Sequence, residues 1–209
     1  MDGTIVDSMP FWDRLTEEYL ETLHLPPDDS LDLKDAVAHM SMHEAAELFQ
    51  QAMNLDKSPE DIVLEMGDLM DQHYQQDIEL RPGVKEFLEG LRREGVPMCV
   101  LTLTPAPLAA ACLERLGVAE YFAFILCSED MGLGKDNPEV FARAAWEFGA
   151  YPIETIVFED SHYAARAAKE AGCSVVGIFE RTHAEQWPRM QRICDVTVMD
   201  WYEAMNLLY

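Results

Sequence analysis

Thr155-Ile156-Val157-Phe158-Glu159-Asp160-Ser161, then Tyr163 to Ala171, then Ser174-Val175-Val176-Gly177-Ile178-Phe179, is the stretch that decides the fold. Two short β-rich runs flank an alanine-rich segment of helical composition, which reads as strand, helix, strand. The same rhythm extends in both directions. Upstream, helix Val84–Glu94 precedes the apolar run Met98–Leu103, helix Leu108–Leu116 precedes Phe122–Cys127, and helix Pro138–Phe148 leads into Thr155–Phe158. Downstream, a short strand Asp195–Met199 is followed by Tyr202–Leu208. Helices alternating with short apolar strands predict an α/β fold with a parallel sheet covered on both faces.

The pattern changes ahead of Arg81-Pro82-Gly83. From Pro10 to Leu80 it is helical throughout: Phe11-Trp12, Leu15, Tyr19-Leu20 and Leu23 recur at helical spacing, and His43–Met53 is a second helix. Ser58-Pro59-Glu60-Asp61 has the form of an N-cap with proline at the first helical position, for a helix running towards Tyr74. This stretch carries 18 acidic residues against Arg14, Lys34 and Lys57. Met40, Met42, Met53, Met66 and Met70 within it are expected to be packing residues. The organisation is an α/β core, 1–9 and 82–209, with a helical insert, 10–81.

Composition narrows the function. The 209 residues include 39 acidic and 15 basic, for a net charge of −24, and 49% are hydrophobic. A core of that content excludes global disorder. The charge argues against nucleic acid, whose phosphates demand a basic face, and against an anionic membrane surface. The charge-free run Gly95–Leu113 approaches a membrane span in length, but Pro97, Pro105 and Pro107 make it a strand, a turn and a helix start. Five cysteines without a short spacing suggest free thiols in a reducing cytoplasm. The opening segment has no basic region of the kind a signal peptide needs.

In an open α/β sheet, ligands bind beyond the carboxyl ends of the strands. The strand exits here present Thr102 and Thr104, the loop Gly132-Leu133-Gly134-Lys135, and Glu159-Asp160-Ser161. Hydroxyl and ammonium suit a phosphate, and adjacent carboxylates suit Mg²⁺. Each element alone has an ordinary structural explanation: a strand-end threonine, a solvated loop lysine, an acidic pair capping a helix. Their order at successive strand ends makes the combination specific.

On these residues the chain resembles the haloacid dehalogenase-like (HAD) hydrolase superfamily, in particular its helical-cap group containing phosphoglycolate phosphatases and β-phosphoglucomutases. Asp2-Gly3-Thr4-Ile5-Val6-Asp7-Ser8 is similar to the second half of the first motif, DxDGTxxDS. Arg81-Pro82-Gly83-Val84 looks like the return from cap to core. Thr102, Lys135, and Val157 to Ser161 with Ala167 to Gly172 match the second, third and fourth motifs. The resemblance implies phosphoryl transfer through an aspartyl-phosphate. Asp2 would be the general acid and base, and its backbone carbonyl would reach Mg²⁺. Thr102 and Lys135 would hold phosphoryl oxygens, Asp160 would bind the metal, and Glu159 would bind it or orient its waters.

The resemblance also implies a nucleophilic aspartate two positions before Asp2, ahead of Met1, together with a first, central strand between those ending at Thr102 and Phe158. Two readings stay open: Met1 is the middle residue of an Asp-Met-Asp-Gly-Thr motif in a longer chain, or the short chain is a non-catalytic relative. On either, this 209-residue chain is expected to have little phosphatase activity. Two departures touch the rim: His162-Tyr163-Ala164 replaces a usual Pro-x-Gly, with His162 expected in an exposed loop, and Lys135-Asp136-Asn137-Pro138 lacks a proline directly after the lysine.

The expected function is a Mg²⁺-dependent phosphatase of a small phosphorylated metabolite, as a monomer or weak dimer. The alternatives are a phosphosugar mutase and a non-enzymatic binding protein. His39, Ser41 and His43 lie where mutase caps carry a Gly and an Arg, and no matching Arg is present, which lowers the mutase reading.

Overall fold

Apolar residues four apart build the helical unit, Ser8–Asp77. The computed structural model describes residues 1–23 and 42–208, so Lys34, His39, Met40 and Ser41 lie outside the described residues. Helix α1 (Met9–Thr22) has Pro10 in its first turn, where a missing N–H costs nothing, and buries Leu15, Tyr19 and Leu20. Helix α2 (Met42–Met53) buries Ala45, Ala46 and Phe49, and the Tyr19 and Phe49 rings stack with centroids 6.0 Å apart. Helix α3 (Pro59–Gln76) starts in a capping box: Ser58 Oγ accepts the Asp61 N–H at 3.1 Å, and Asp61 Oδ2 accepts the Ser58 N–H at 3.3 Å. Its buried stripe is Ile62, Met66, Met70 and Tyr74. Met66 and Met70 thus pack as expected, while Met42 and Met53 are half-buried.

The second unit combines Met1–Asp7 with Ile78–Tyr209. Gly83, at a left-handed φ of +87°, turns the chain into α4 (Val84–Arg93); a side chain there would press on Trp201 and Tyr202. Then follow β1 (Val100–Thr102), α5 (Ala106–Arg115), β2 (Ile125–Cys127), α6 (Glu139–Glu147), β3 (Ile156–Glu159), α7 (His162–Ala171), β4 (Ser174–Ile178), α8 (Trp187–Ile193), β5 (Val196–Val198) and α9 (Trp201–Ala204). The run Gly95–Leu113 resolves into β1, a turn and most of α5, and no helix among the described residues is long and apolar enough to cross a membrane. Helix α8 and the 3₁₀ turn Arg181–Gln186 before it were not expected from the pattern; Pro188 sits in the first turn of α8, marking a helix start.

All strand pairings between named strands are parallel. β1 pairs with β2, from Val100↔Ile125 to Thr102↔Cys127. β3 pairs with β4, with Glu159 opposite Gly177, and β4 with β5. Among the described residues the ladders form two sheets, β1–β2 and β3–β4–β5, with none joining β1 to β3. Successive side chains of β3 face opposite layers, as a pleat requires. Val157 packs on the cluster of Val140, Phe141, Ala164, Ala165, Ala168 and Met190, from α6, α7 and α8. Phe158 faces the other way, 5.2 Å from both the Phe87 and Trp201 ring centroids, on α4 and α9. All five cysteines are free, and burial pushes the Cys99 and Cys194 thiols up to about 12 and about 11, so these two are poor nucleophiles.

Candidate active site

Asp2, Gly3 and Thr4 lie in a tight turn, not a strand. The Met1 carbonyl accepts the N–H groups of Thr4, Ile5 and Val6 at 3.2, 2.7 and 3.2 Å, and Val6 forms an antiparallel bridge with Leu80. Three further ties hold the turn. Trp201 Nε1 donates to the Thr4 carbonyl at 2.8 Å, Thr4 Oγ1 donates to Asp160 Oδ1 at 2.7 Å, and the Arg81 guanidinium donates to the Gly3 carbonyl. The turn is thereby fixed against the carboxyl end of β3.

The expected site residues come together in two groups. In the first, Asp2 Oδ2 accepts from Thr104 Oγ1 at 2.8 Å and from Thr102 Oγ1 at 3.4 Å. Thr102 Oγ1 in turn accepts the Thr104 N–H at 3.0 Å, which fixes the hydroxyl at the end of β1. In the second group, Lys135 Nζ lies 2.7 Å from Glu159 Oε2. Glu159 Oε1 accepts the Asp160 N–H at 3.1 Å, and the Ser161 N–H and hydroxyl at 3.0 Å each. Glu159 thus divides its two oxygens: Oε1 holds the backbone and hydroxyl of the loop that leads into α7, and Oε2 faces the ammonium. Burial opposes charge on both partners, but their mutual attraction prevails. The Lys135 ammonium, then the N-terminal ammonium and the Ser161 N–H, hold the Glu159 carboxyl well below its ordinary range, and Glu159 and Asp160 hold Lys135 above its own.

Gly3 explains how Asp160 gets so near the turn. At φ +64° the residue has no side chain, and a Cβ there would run into Asp160 Oδ2 and stand 2.8 Å from Cγ. The Asp160 carboxylate therefore lies directly against the Gly3 backbone, next to the Asp2–Gly3 peptide. The donor set of Asp160, Glu159 and the Asp2 carbonyl is all oxygen, which fits Mg²⁺. No group of three or more His, Cys, Asp or Glu side chains that could hold a metal occurs among the described residues. Mg²⁺ does not require one: it commonly takes one or two carboxylates and completes its shell with water and substrate phosphate.

Four further residues take part: His183, Arg81, Glu180 and Thr104. His183 Nδ1 lies 3.1 Å from Asp160 Oδ2. Arg81 and Glu180 form a buried pair at 3.2 Å beside the turn. Thr104 was noted beyond β1 but not as a partner of Asp2. Arg81 had a signal in its Arg-Pro-Gly context, whereas His183 and Glu180 had none. His162, expected in an exposed loop, is the half-buried first residue of α7.

Comparison with known proteins gives a consistent result. The family model of the haloacid dehalogenase-like hydrolases matches residues 1–172. The phosphorylated carbohydrates phosphatase of Thermotoga maritima is 25% identical over 82% of this chain and 79% of its own. The phosphoglycolate phosphatase of Shigella boydii is 29% identical over 85% and 78%. The crystal structure of a candidate β-phosphoglucomutase from Thermotoga maritima superposes with a TM-score of 0.82 at 23% identity, over 100% of this chain and 95% of that one, a likeness of fold.

Proposed function

The chain belongs to the haloacid dehalogenase-like hydrolases, and from that premise we propose that its site serves Mg²⁺-dependent hydrolysis of a small phosphomonoester through an aspartyl-phosphate. One observation carries the reading. Asp2 in the N-terminal turn meets Thr102 at the end of β1, Lys135 in the loop after β2 meets Glu159 at the end of β3, and Thr4 ties the adjacent Asp160 to that same turn.

In the proposed chemistry, Asp2 protonates the leaving-group oxygen and then takes a proton from the attacking water. The Thr104 hydroxyl holds its carboxylate for both transfers, which leaves the single Thr102 hydroxyl proton for the phosphoryl group. Thr102 and Lys135 bind phosphoryl oxygens, and Lys135 offsets the charge that develops on them. Asp160 and the Asp2 carbonyl would hold Mg²⁺, with Glu159, engaged by Lys135 and Ser161, orienting its waters. Mg²⁺ bound there would supply positive charge to the phosphoryl oxygens. The position of the attacking carboxylate, two residues ahead of Asp2, falls outside the 209 residues. Turnover by these 209 residues alone is therefore expected to be slow.

We assign substrate choice to the helical unit, a cap whose acidic surface supports a substrate of low charge, a small phosphorylated metabolite. The free thiols support a cytoplasmic setting. The test is phosphate release from an aryl phosphate, phosphoglycolate and a panel of sugar phosphates, with and without Mg²⁺. It compares this chain, checked by intact mass, with the same chain extended by a strand ending in aspartate two residues before Asp2. The extended chain should turn over and its Asp2→Asn variant should not. Robust turnover by the 209 residues alone would overturn the assignment of the nucleophile. Retention of phosphate on a sugar bisphosphate, in place of its release, would mark a mutase.

A further inference from the structure

Beyond the motif residues, we infer that His183 is a positioning residue for Asp160, held there by a closed ring of contacts through Arg81 and Glu180. This rests on the proposed role of Asp160 as a Mg²⁺ ligand.

The ring can be followed atom by atom. Arg81 donates to the Gly3 carbonyl and, at 2.6 Å, to the Phe179 carbonyl at the end of β4. Its guanidinium pairs with Glu180 Oε2 at 3.2 Å. Glu180 Oε1 accepts the Thr182 N–H at 3.1 Å and so caps the 3₁₀ turn that carries His183. Within that turn His183 departs from helical geometry, at φ −103° and ψ 18°, and its Nδ1 reaches Asp160 Oδ2. Asp160 Oδ1 accepts from Thr4, the neighbour of Gly3, which closes the circuit.

The chemistry of the contact assigns the role. An ionised carboxylate only accepts, so the imidazole presents Nδ1–H to it. With Thr4 on one oxygen, His183 on the other and the Gly3 backbone beneath, the Asp160 carboxylate has one orientation. Each oxygen keeps a lone pair for a cation. A ligand oriented in advance loses less freedom on binding, and partners of this kind typically govern metal affinity about 10- to 100-fold. The side chain of His183 is 25% exposed, so its replacement should leave the fold intact.

The experiment is calorimetric titration of the 209-residue chain with Mg²⁺ alone, for wild type, His183→Ala, His183→Asn and His183→Gln, with urea midpoints measured in the absence of metal. Asparagine places an amide N–H where Nδ1–H stands, and glutamine places it one bond too far. The expected result is a loss of Mg²⁺ affinity of about 10-fold or more in H183A and H183Q, with most of it restored in H183N. A purely packing role would not separate Asn from Gln, and if H183A does not fold that pair carries the test. Equal affinity in all four proteins, or H183N as weak as H183Q, overturns the positioning role and leaves the metal assignment standing. No Mg²⁺ binding by wild type overturns both.

Discussion

Two lysine–glutamate pairs, one in each unit, show how differently the chain uses charge. Lys57 and Glu65 meet at 2.6 Å in the helical unit, with side chains 41% and 40% exposed. Lys135 and Glu159 meet at 2.7 Å in the α/β unit, with side chains 10% and 6% exposed. The geometry is nearly the same, yet the energetics differ because water screens the first pair and is excluded from the second. Between exposed groups, such a pair is worth little. Between buried groups, each charge is tolerable only while the other is present.

The strongest test of this contrast is Lys135→Ala. It leaves the Glu159 carboxylate buried, still accepting from Asp160 and Ser161 but without the ammonium in direct contact with it. The expected loss is about 3–5 kcal/mol of unfolding free energy, read from urea midpoints at neutral pH. A double variant, Lys135→Met with Glu159→Leu, should recover much of it. The pair also sets a pH signature. The folded-state pKa of Glu159 is lowered, so its contribution is complete above the ordinary glutamate value of about 4.3 and is lost as pH falls through the lowered value. The folded-state pKa of Lys135 is raised, so its contribution is complete below the ordinary lysine value of about 10.4 and is lost as pH rises through the raised one. The stability advantage of wild type over the double variant should therefore be flat between these limits and shrink at both ends. An advantage independent of pH would remove the pair from the account.

Gly3→Ala comes next. The new Cβ meets the Asp160 carboxylate at a residue with φ +64°. Strain of this kind costs about 1–3 kcal/mol, and the displaced carboxylate should bind Mg²⁺ more weakly. Unchanged stability and unchanged binding together would mean that the turn and Asp160 are not in register.

What was legible beforehand follows from how local each signal is. The helix–strand rhythm and the family resemblance stood in runs of neighbouring residues, and the fold and the family match bear them out. Strand lengths were overestimated: apolar Met98–Leu103 yields a β1 of three residues, because hydrophobic pattern marks burial while a ladder also needs a partner strand. The ring of Arg81, Glu180 and His183 was not legible. It joins residues about 80 to 180 positions from the turn they hold, and no periodicity encodes a contact of that range. Asp160 was readable as a residue, but the grip on it was not.

Smaller effects belong to the helical unit. Ser58→Ala removes the hydroxyl that accepts the Asp61 N–H at the start of α3, and should cost about 1 kcal/mol by thermal or urea unfolding. Lys57→Ala should cost least, about 0–1 kcal/mol. Its partner keeps another contact, since Tyr19 donates to Glu65 Oε2 at 2.7 Å, so Glu65 is not left without a hydrogen bond. Salt completes the contrast. At about 1 M the screening length falls to about 3 Å, so the exposed pair should lose what value it has and the effect of K57A should vanish. The effect of K135A should persist under the same conditions, because ions screen a buried pair far less. If both variants respond equally to salt, Lys135 and Glu159 are hydrated in solution, and the separation between a screened pair in the helical unit and a desolvated pair in the α/β unit fails.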